Sequence, residues 1–263
     1  MKKTIEMKKK IINILFFVGS IAYMVLSLGF VNEKRQKEVC NKVEINILND
    51  QTNKFLKESD ILRELENYNL KLKGVPIDSI NTLLVEKIVS HIPVVNRVYS
   101  YITINGKLVI EVEQRNPLVR LINNNLQQFI IYENGKIMPL YRNFVAHTLI
   151  ANGNIEISSS ILQKNNLNDS SKNIISDIYK IANYINNDAF WKAQIEQLYV
   201  NSNEDILLIP RIGNHIIIIG DASDIELKFQ KLKAFYRTLN EIGWNKYKTI
   251  NLKYKNQIVC KKI

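Results

Sequence analysis

Three histidines, His91, His147 and His215, and two cysteines, Cys40 and Cys260, are the side chains best suited to metal or nucleophilic chemistry in this 263-residue chain. Their spacing suits neither. No two of the histidines stand at metal-ligand spacing, and the cysteines lie near opposite ends of the sequence, so they are read as two unpaired thiols. No G-x-S-x-G, H-E-x-x-H, phosphate-binding Gly loop or C-x-x-C occurs. The sequence therefore assigns no catalytic residue, no metal and no cofactor, and it argues against the common enzyme classes. The remaining chemistry is recognition, and it is concentrated at one end. Ile250, Leu252, Tyr254, Ile258 and Cys260 alternate with Asn251, Lys253, Lys255, Gln257 and Lys261, and Asn256 is the exception on the apolar side. This is the period of a strand with one Lys-rich face. Lysines on a free edge discourage pairing between copies. The same lysines would select an acidic partner strand. Both readings stand.

The segment that must place such an edge in the cell lies at the other end. Residues 11–31 carry no charge and follow Lys8, Lys9 and Lys10. As a helix they would span roughly 30 Å, the thickness of a bilayer's hydrocarbon core. A cleaved signal peptide is the rival reading, but its apolar region is usually shorter, and Ser27-Leu28-Gly29-Phe30 fits a small-residue cleavage site poorly. The expectation is an uncleaved single span after a tail of residues 1–10. Five lysines precede it, which favours a cytoplasmic N-terminus. Beyond residue 31, 31 basic and 24 acidic side chains leave a net charge of +7. The lysines are scattered and are not interleaved with aromatics, so no nucleic-acid groove is read.

Between these ends the elements follow from period and punctuation. Val43, Ile45 and Ile47 alternate as a strand. Ser59 offers an N-cap to a helix with Ile61, Leu62 and Leu65 on one face. Gly74 and Pro76 break the chain. A second helix from about Ser79 carries Ile80, Leu83, Leu84, Ile88 and His91, and Pro93 stops it. Val98 to Ile104 and Leu108 to Val112 flank Asn105-Gly106, the signal for a type I′ hairpin. The order over residues 43–113 is β-α-α-β-β, and Pro117 marks a boundary. Strands at Phe129 to Tyr132 and Lys136 to Leu140 then flank Glu133-Asn134-Gly135. After a polar loop around Gln163 to Ser171, Ile174, Ile178, Ile181 and Ile185 trace a helix face. Strands follow at Ile195 to Val200, Ile206 to Pro210 and His215 to Ile219, and the β-branched run Ile216 to Ile219 suits a strand buried on both sides. Ser223-Asp224-Ile225-Glu226 reads as a capping box. The helix it opens buries Ile225, Phe229, Leu232, Tyr236 and Leu239 and ends at Gly243.

One span, a β-α-α-β-β module and a mixed β region ending in a strand resemble the layout of the bacterial cell-division family FtsQ/DivIB. Residues 105–117, ending in Gln114, Arg115, Asn116 and Pro117, look like the family's hairpin and domain junction. Glu133-Asn134-Gly135-Lys136-Ile137-Met138-Pro139 resembles the stretch that opens its β domain. Pro210-Arg211-Ile212-Gly213, the Lys228 to Tyr236 helix and Gly243-Trp244-Asn245-Lys246-Tyr247 resemble its Bacteroidetes-type version. The resemblance implies an α+β chain with a POTRA-like domain at residues 40–115 and a C-terminal β domain with flanking helices at residues 117–263. It implies a non-enzymatic membrane scaffold at the division septum, its bulk periplasmic, without nucleic-acid or small-molecule partners. It further implies that the chain binds FtsB/FtsL-like single-pass proteins, with FtsK-like and septal-synthase contacts. The family's partner strand would pair with Lys253, Tyr254, Lys255, Asn256, Gln257, Ile258 and Val259, and Tyr254 falls at its conserved tyrosine. The very short cytoplasmic tail, and Asn256 and Gln257 where the family has small residues, depart from the pattern. The competing reading is a POTRA-containing polypeptide-transport or outer-membrane assembly factor, although neither a repeat of the module nor a barrel pattern is visible.

Overall fold

The computed structural model describes residues 16–24, 38–49, 56–140, 148–163, 167 and 173–263. Of the expected membrane segment, residues 16–24 are helical and the remainder lies outside the described residues. Among the described residues no helix is long and apolar enough to cross a membrane. The rest divides between Gln114 and Arg115 into two units.

The first unit is a three-stranded sheet backed by two helices. Strands β1 (Lys42–Ile47), β2 (Val95–Ile102) and β3 (Lys107–Gln114) lie in the order β1-β3-β2. β1 is parallel to β3, and β2 is antiparallel to it. Helices α1 (Glu58–Asn67) and α2 (Thr82–Ser90) form the crossover, with a 3₁₀ turn at Ile77–Ser79 between them. Ile61, Leu65, Val85, Ile88 and Val89 from the helices and Leu108, Ile110 and Val112 from β3 are all buried.

Three local expectations for this unit are corrected. α1 starts before Ser59, and its first turn is closed by the Asp60 carboxylate accepting from the Lys57 backbone N–H at 3.2 Å. Leu62 is 41% exposed. α2 starts at Thr82 because Ile77–Ser79 takes up the preceding turn, and Asn81 caps it by accepting from Leu84 N at 3.0 Å. Its buried face is Val85, Ile88 and Val89, whereas Leu83 is 74% exposed. Both faces of α2 are apolar, so period alone does not choose between them, and packing against β2 does. The hairpin forms, but not through a type I′ turn, because Gly106 alone takes positive φ, at +72°. Thr103 holds Lys107 on both sides: Thr103 N donates to Lys107 O at 2.9 Å, and Lys107 N donates to Thr103 Oγ1 at 3.2 Å. That moves the turn one residue back, to the type I turn followed by a left-handed glycine.

The second unit is a nine-stranded mixed sheet with helices against one face. Its strands are β4 (Pro117–Ile122), β5 (Gln128–Tyr132), β6 (Ile137–Pro139), β7 (Leu149–Gly153), β8 (Ile195–Val200), β9 (Ile206–Pro210), β10 (Ile216–Gly220), β11 (Tyr247–Asn251) and β12 (Val259–Lys262). They lie in the order β12-β11-β10-β9-β8-β7-β4-β5-β6. The helices are α3 (Ser159–Gln163), α4 (Ile174–Asn187), α5 (Ala189–Gln194) and α6 (Ile225–Ile242). Strands β4 and β7 were not foreseen. β7 is parallel to both β4 and β8, which joins the first strands of this unit to its last ones.

Phe229, Leu232, Tyr236 and Leu239 from α6 meet Ile217, Ile219 and Ile250 from the sheet in one core, each such side chain contributing about 1.5–3 kcal/mol by leaving water. Ile216 and Ile218 are only half-buried, so β10 is buried on one face and not on both. Asp224, at φ +47°, is the residue before α6, and the expected capping box does not form. The Ser223 hydroxyl turns instead to the Asp221 carboxylate. Lys228, 7% exposed at its side chain, explains the diversion: its ammonium donates to Asp221 Oδ1 at 2.9 Å and to Asp221 O at 3.0 Å. A buried cation that lies against the sequence before its own helix draws that segment inward.

Candidate partner-binding edge

Two ends of the large sheet lack a second neighbour among the described residues, β6 and β12. The sequence pointed to the β12 end, and the structure builds it from α6 onward. Gly243, at φ +99°, stops the helix and donates its N–H to Leu239 O at 2.8 Å. The chain then enters β11, parallel to β10, with Ile216 opposite Thr249 and Ile218 opposite Asn251. Leu252 is fully buried and donates its N–H to Ile218 O at 2.9 Å.

At that point the expected strand stops. Of the seven residues Lys253 to Val259, only Val259 lies in a strand, and residues 253–258 make the turn that carries the chain from β11 back into β12. The edge strand is Val259–Lys262, antiparallel to β11, with Asn251 opposite Val259, Ile250 opposite Cys260 and Thr249 opposite Lys261. One contribution is local. Asn251 Oδ1 accepts from Lys253 N at 3.0 Å, a side-chain turn that competes with the ladder. Asn256, the one break in the alternation, sits in the turn that follows. That break was the available signal, and reading through it merged a hairpin into one strand.

The corner presents Tyr254, 48% exposed, with Lys255, Asn256 and Gln257 exposed beside it. Ile258 packs against the core cluster and Val259 is 42% exposed. Cys260 is half-buried against the same core, and burial pushes its thiol up from the ordinary range. Lys261 and Lys262 form half of the edge strand and are exposed. The edge thus offers a short strand backbone, a protruding tyrosine and a group of ammonium ions.

The junction residues occupy another place. The Gln114 side chain is buried in the first unit and accepts from Leu56 N at 3.0 Å, and its backbone pairs with the Asn49 amide at 2.9 Å in both directions. Arg115, first in the second unit, is half-buried. Burial pulls its basicity down, which the proximity of Tyr132 partly offsets. Burial pushes Tyr132 up to about 12, against the opposing effect of Arg115. Pro117 opens β4 opposite Tyr132. The turn at Glu133 ties this junction to α4, because Glu133 O accepts from Tyr179 Oη at 2.9 Å and Glu133 Oε1 from Asn186 Nδ2 at 3.1 Å.

Both described histidines are hydrogen-bonded within the fold. His91 lies on the surface against Tyr68, with Nδ1 3.2 Å from Tyr68 Oη. His215 is buried, its Nε2 3.0 Å from Tyr236 Oη, and its Nδ1 sits near the Trp244 backbone without a hydrogen bond of ordinary geometry. His147 lies outside the described residues. Among the described residues no group of three His, Cys, Asp or Glu side chains is placed to hold a metal ion.

A family model described as FtsQ/DivIB, C-terminal related, matches residues 116–261, more than half of the chain and almost all of the large sheet. The chain belongs to the FtsQ/DivIB family. A POTRA-like domain model matches residues 38–113, the three-stranded unit. No curated protein matches the chain. FtsQ/DivIB proteins form a non-enzymatic cell-division family associated with the membrane and the division septum. Within that family the nine-stranded sheet is the C-terminal domain, and β12 is the last strand in chain order.

Proposed function

We propose that this FtsQ/DivIB-family chain is a bitopic membrane scaffold of the bacterial divisome. It is anchored by residues 11–31 with its N-terminus in the cytoplasm, and it holds FtsB/FtsL-type single-pass partners through the β12 edge. In this role it links early and late division proteins. The observation that supports the reading is the outer side of β12, unpaired among the described residues, beside the exposed Tyr254. A partner segment adding there would take affinity from backbone hydrogen bonds and selectivity from alternate side chains. Lys255, Lys261 and Lys262 favour an acidic segment and repel a second copy of the same edge.

The competing transport or assembly reading needs a receptive edge on the POTRA-like unit, which either end strand, β1 or β2, would supply, and β2 is the one partly closed. The middle of that edge is engaged: Ser100 N donates to Glu86 Oε1 at 2.7 Å, and Ser100 Oγ donates to Thr82 O at 3.0 Å. The β12 edge carries no such side-chain plug among the described residues, and the family match over residues 116–261 supports the scaffold reading over the transport one.

The test is capture of the co-expressed FtsB-type single-pass protein by the full-length chain in detergent. Tyr254→Ala is expected to weaken capture by roughly 1 to 3 kcal/mol, the range of an exposed aromatic hot spot. Capture equal to that of the unsubstituted chain would remove Tyr254 from the interface. In cells, depletion is expected to give filaments with normally segregated DNA, and normal division would overturn the assignment.

A further inference from the structure

The corner at residues 252–255 is held by two lysines whose side chains run in opposite directions. Lys231, on α6, donates from Nζ to Tyr254 O at 2.6 Å, to Lys255 O at 3.2 Å and to Leu252 O at 3.5 Å. Lys253 reaches the other way, from the corner to both carboxylate oxygens of Asp205 at 2.7 and 3.0 Å. Its stem lies over Gly220, where a Cβ would stand 2.9 Å from Lys253 Cγ. The backbone geometry gives the first contact its meaning. In an extended strand successive carbonyls point to opposite sides. The carbonyls of Tyr254 and Lys255 are adjacent in sequence and converge on one ammonium. While Lys231 holds both, the segment cannot continue as a strand. The alternation from Ile250 to Cys260 would otherwise support one long strand, which is how it reads from sequence alone.

We propose that Lys231 is a positioning residue for the partner edge. Its ammonium ends β11, folds residues 253–258 into a turn and returns the chain so that β12 lies along β11 in the observed register. Lys253 and Asp205 hold the same corner from the opposite side. This rests on the reading that the β12 edge receives the partner. Lys231 has no partner contact of its own in this mechanism; it acts through the placement of Val259 to Lys262 and of Tyr254.

The experiment uses the full chain in detergent micelles, unsubstituted and as Lys231→Met, Lys231→Arg and Asp205→Asn. Cys260 on β12 is a native reporter, and Cys40, 1% exposed, is its buried reference. Lys231→Met is expected to speed maleimide labelling of Cys260 by about tenfold, the effect of losing a charge-assisted bond on local opening. Amide exchange in Val259–Lys262 is expected to rise with it, while β8–β10 keep their protection. Lys231→Arg, which still donates to carbonyls, is expected to restore both, and Asp205→Asn to give a smaller change. A Lys231→Met chain whose Cys260 labelling and β12 exchange match those of the unsubstituted chain would overturn the proposal. The same variants are then used to capture the FtsB-type single-pass protein. Weaker capture by Lys231→Met, restored by Arg, is expected. Faster β12 opening with unchanged capture would overturn the role of Lys231 at the partner edge and, with it, the β12 reading.

Discussion

Removing Asp221 strands the Lys228 ammonium, which is 7% exposed, whereas Asp221 itself is 48% exposed. The two deletions should therefore differ. Asp221→Ala is expected to cost about 1.5–3 kcal/mol in a denaturant melt, because a buried cation loses its charged acceptor. Lys228→Met is expected to cost less, since the remaining carboxylate can be solvated and the thioether suits the site. A second residue-scale effect is set by His215. Burial lowers its basicity from the ordinary 6.5, with the Trp244 backbone acting weakly the other way, so the folded chain keeps the imidazole neutral. The unfolded chain binds a proton as pH falls through 6.5, and the folded chain does so only at lower pH. Stability contributed by neutral His215 is therefore full above that value and is lost as pH falls below it. Melting temperature is expected to fall between about pH 7 and 5, and His215→Asn is expected to flatten that part of the profile.

At the scale of elements, α2 tests how packing overrides period. Ile88 is 3% exposed and Leu83 is 74% exposed, although both lie on apolar faces of the same helix. Ile88→Ala is expected to cost about 2–5 kcal/mol, and Leu83→Ala to stay within about 0.5 kcal/mol, as chemical denaturation would measure. Equal costs would mean that the helix is turned about its axis relative to β2. The same lesson applies to β10 and to the final hairpin. Each has a pattern that is legal in two arrangements, and contacts from outside the element decide between them. Punctuation was more reliable than period: Gly74, Pro93, Gly106, Pro117 and Gly243 all fall at or beside breaks between elements.

For the whole molecule, the proposed anchor confines the chain and its single-pass partners to one plane, which raises their effective concentration before the β12 edge engages. The span's length then matters more than its side chains. Replacing residues 11–31 with an unrelated span of equal length is expected to preserve division, scored as cell length, whereas release of the extramembrane part without a span is expected to give filaments. Loss of division with the unrelated span would place partner contacts within the anchor itself.

The sequence by itself determined the order of elements in the first unit, the helix of Ile178, Ile181 and Ile185, the strands β8 to β10 and the break near Pro117, because turn residues and period act over a few neighbouring positions. It also carried enough order for the family resemblance that the match over residues 116–261 bears out. Only the tertiary structure decided which face of α2 is buried, that β7 joins β4 to β8, and that Lys253 to Ile258 turn instead of extending. Those outcomes depend on groups distant in sequence: β2 beneath α2, β8 beside β7, and Lys231 on α6 drawing two adjacent carbonyls to one point. A chain read locally cannot show a hydrogen bond whose donor arrives from another element.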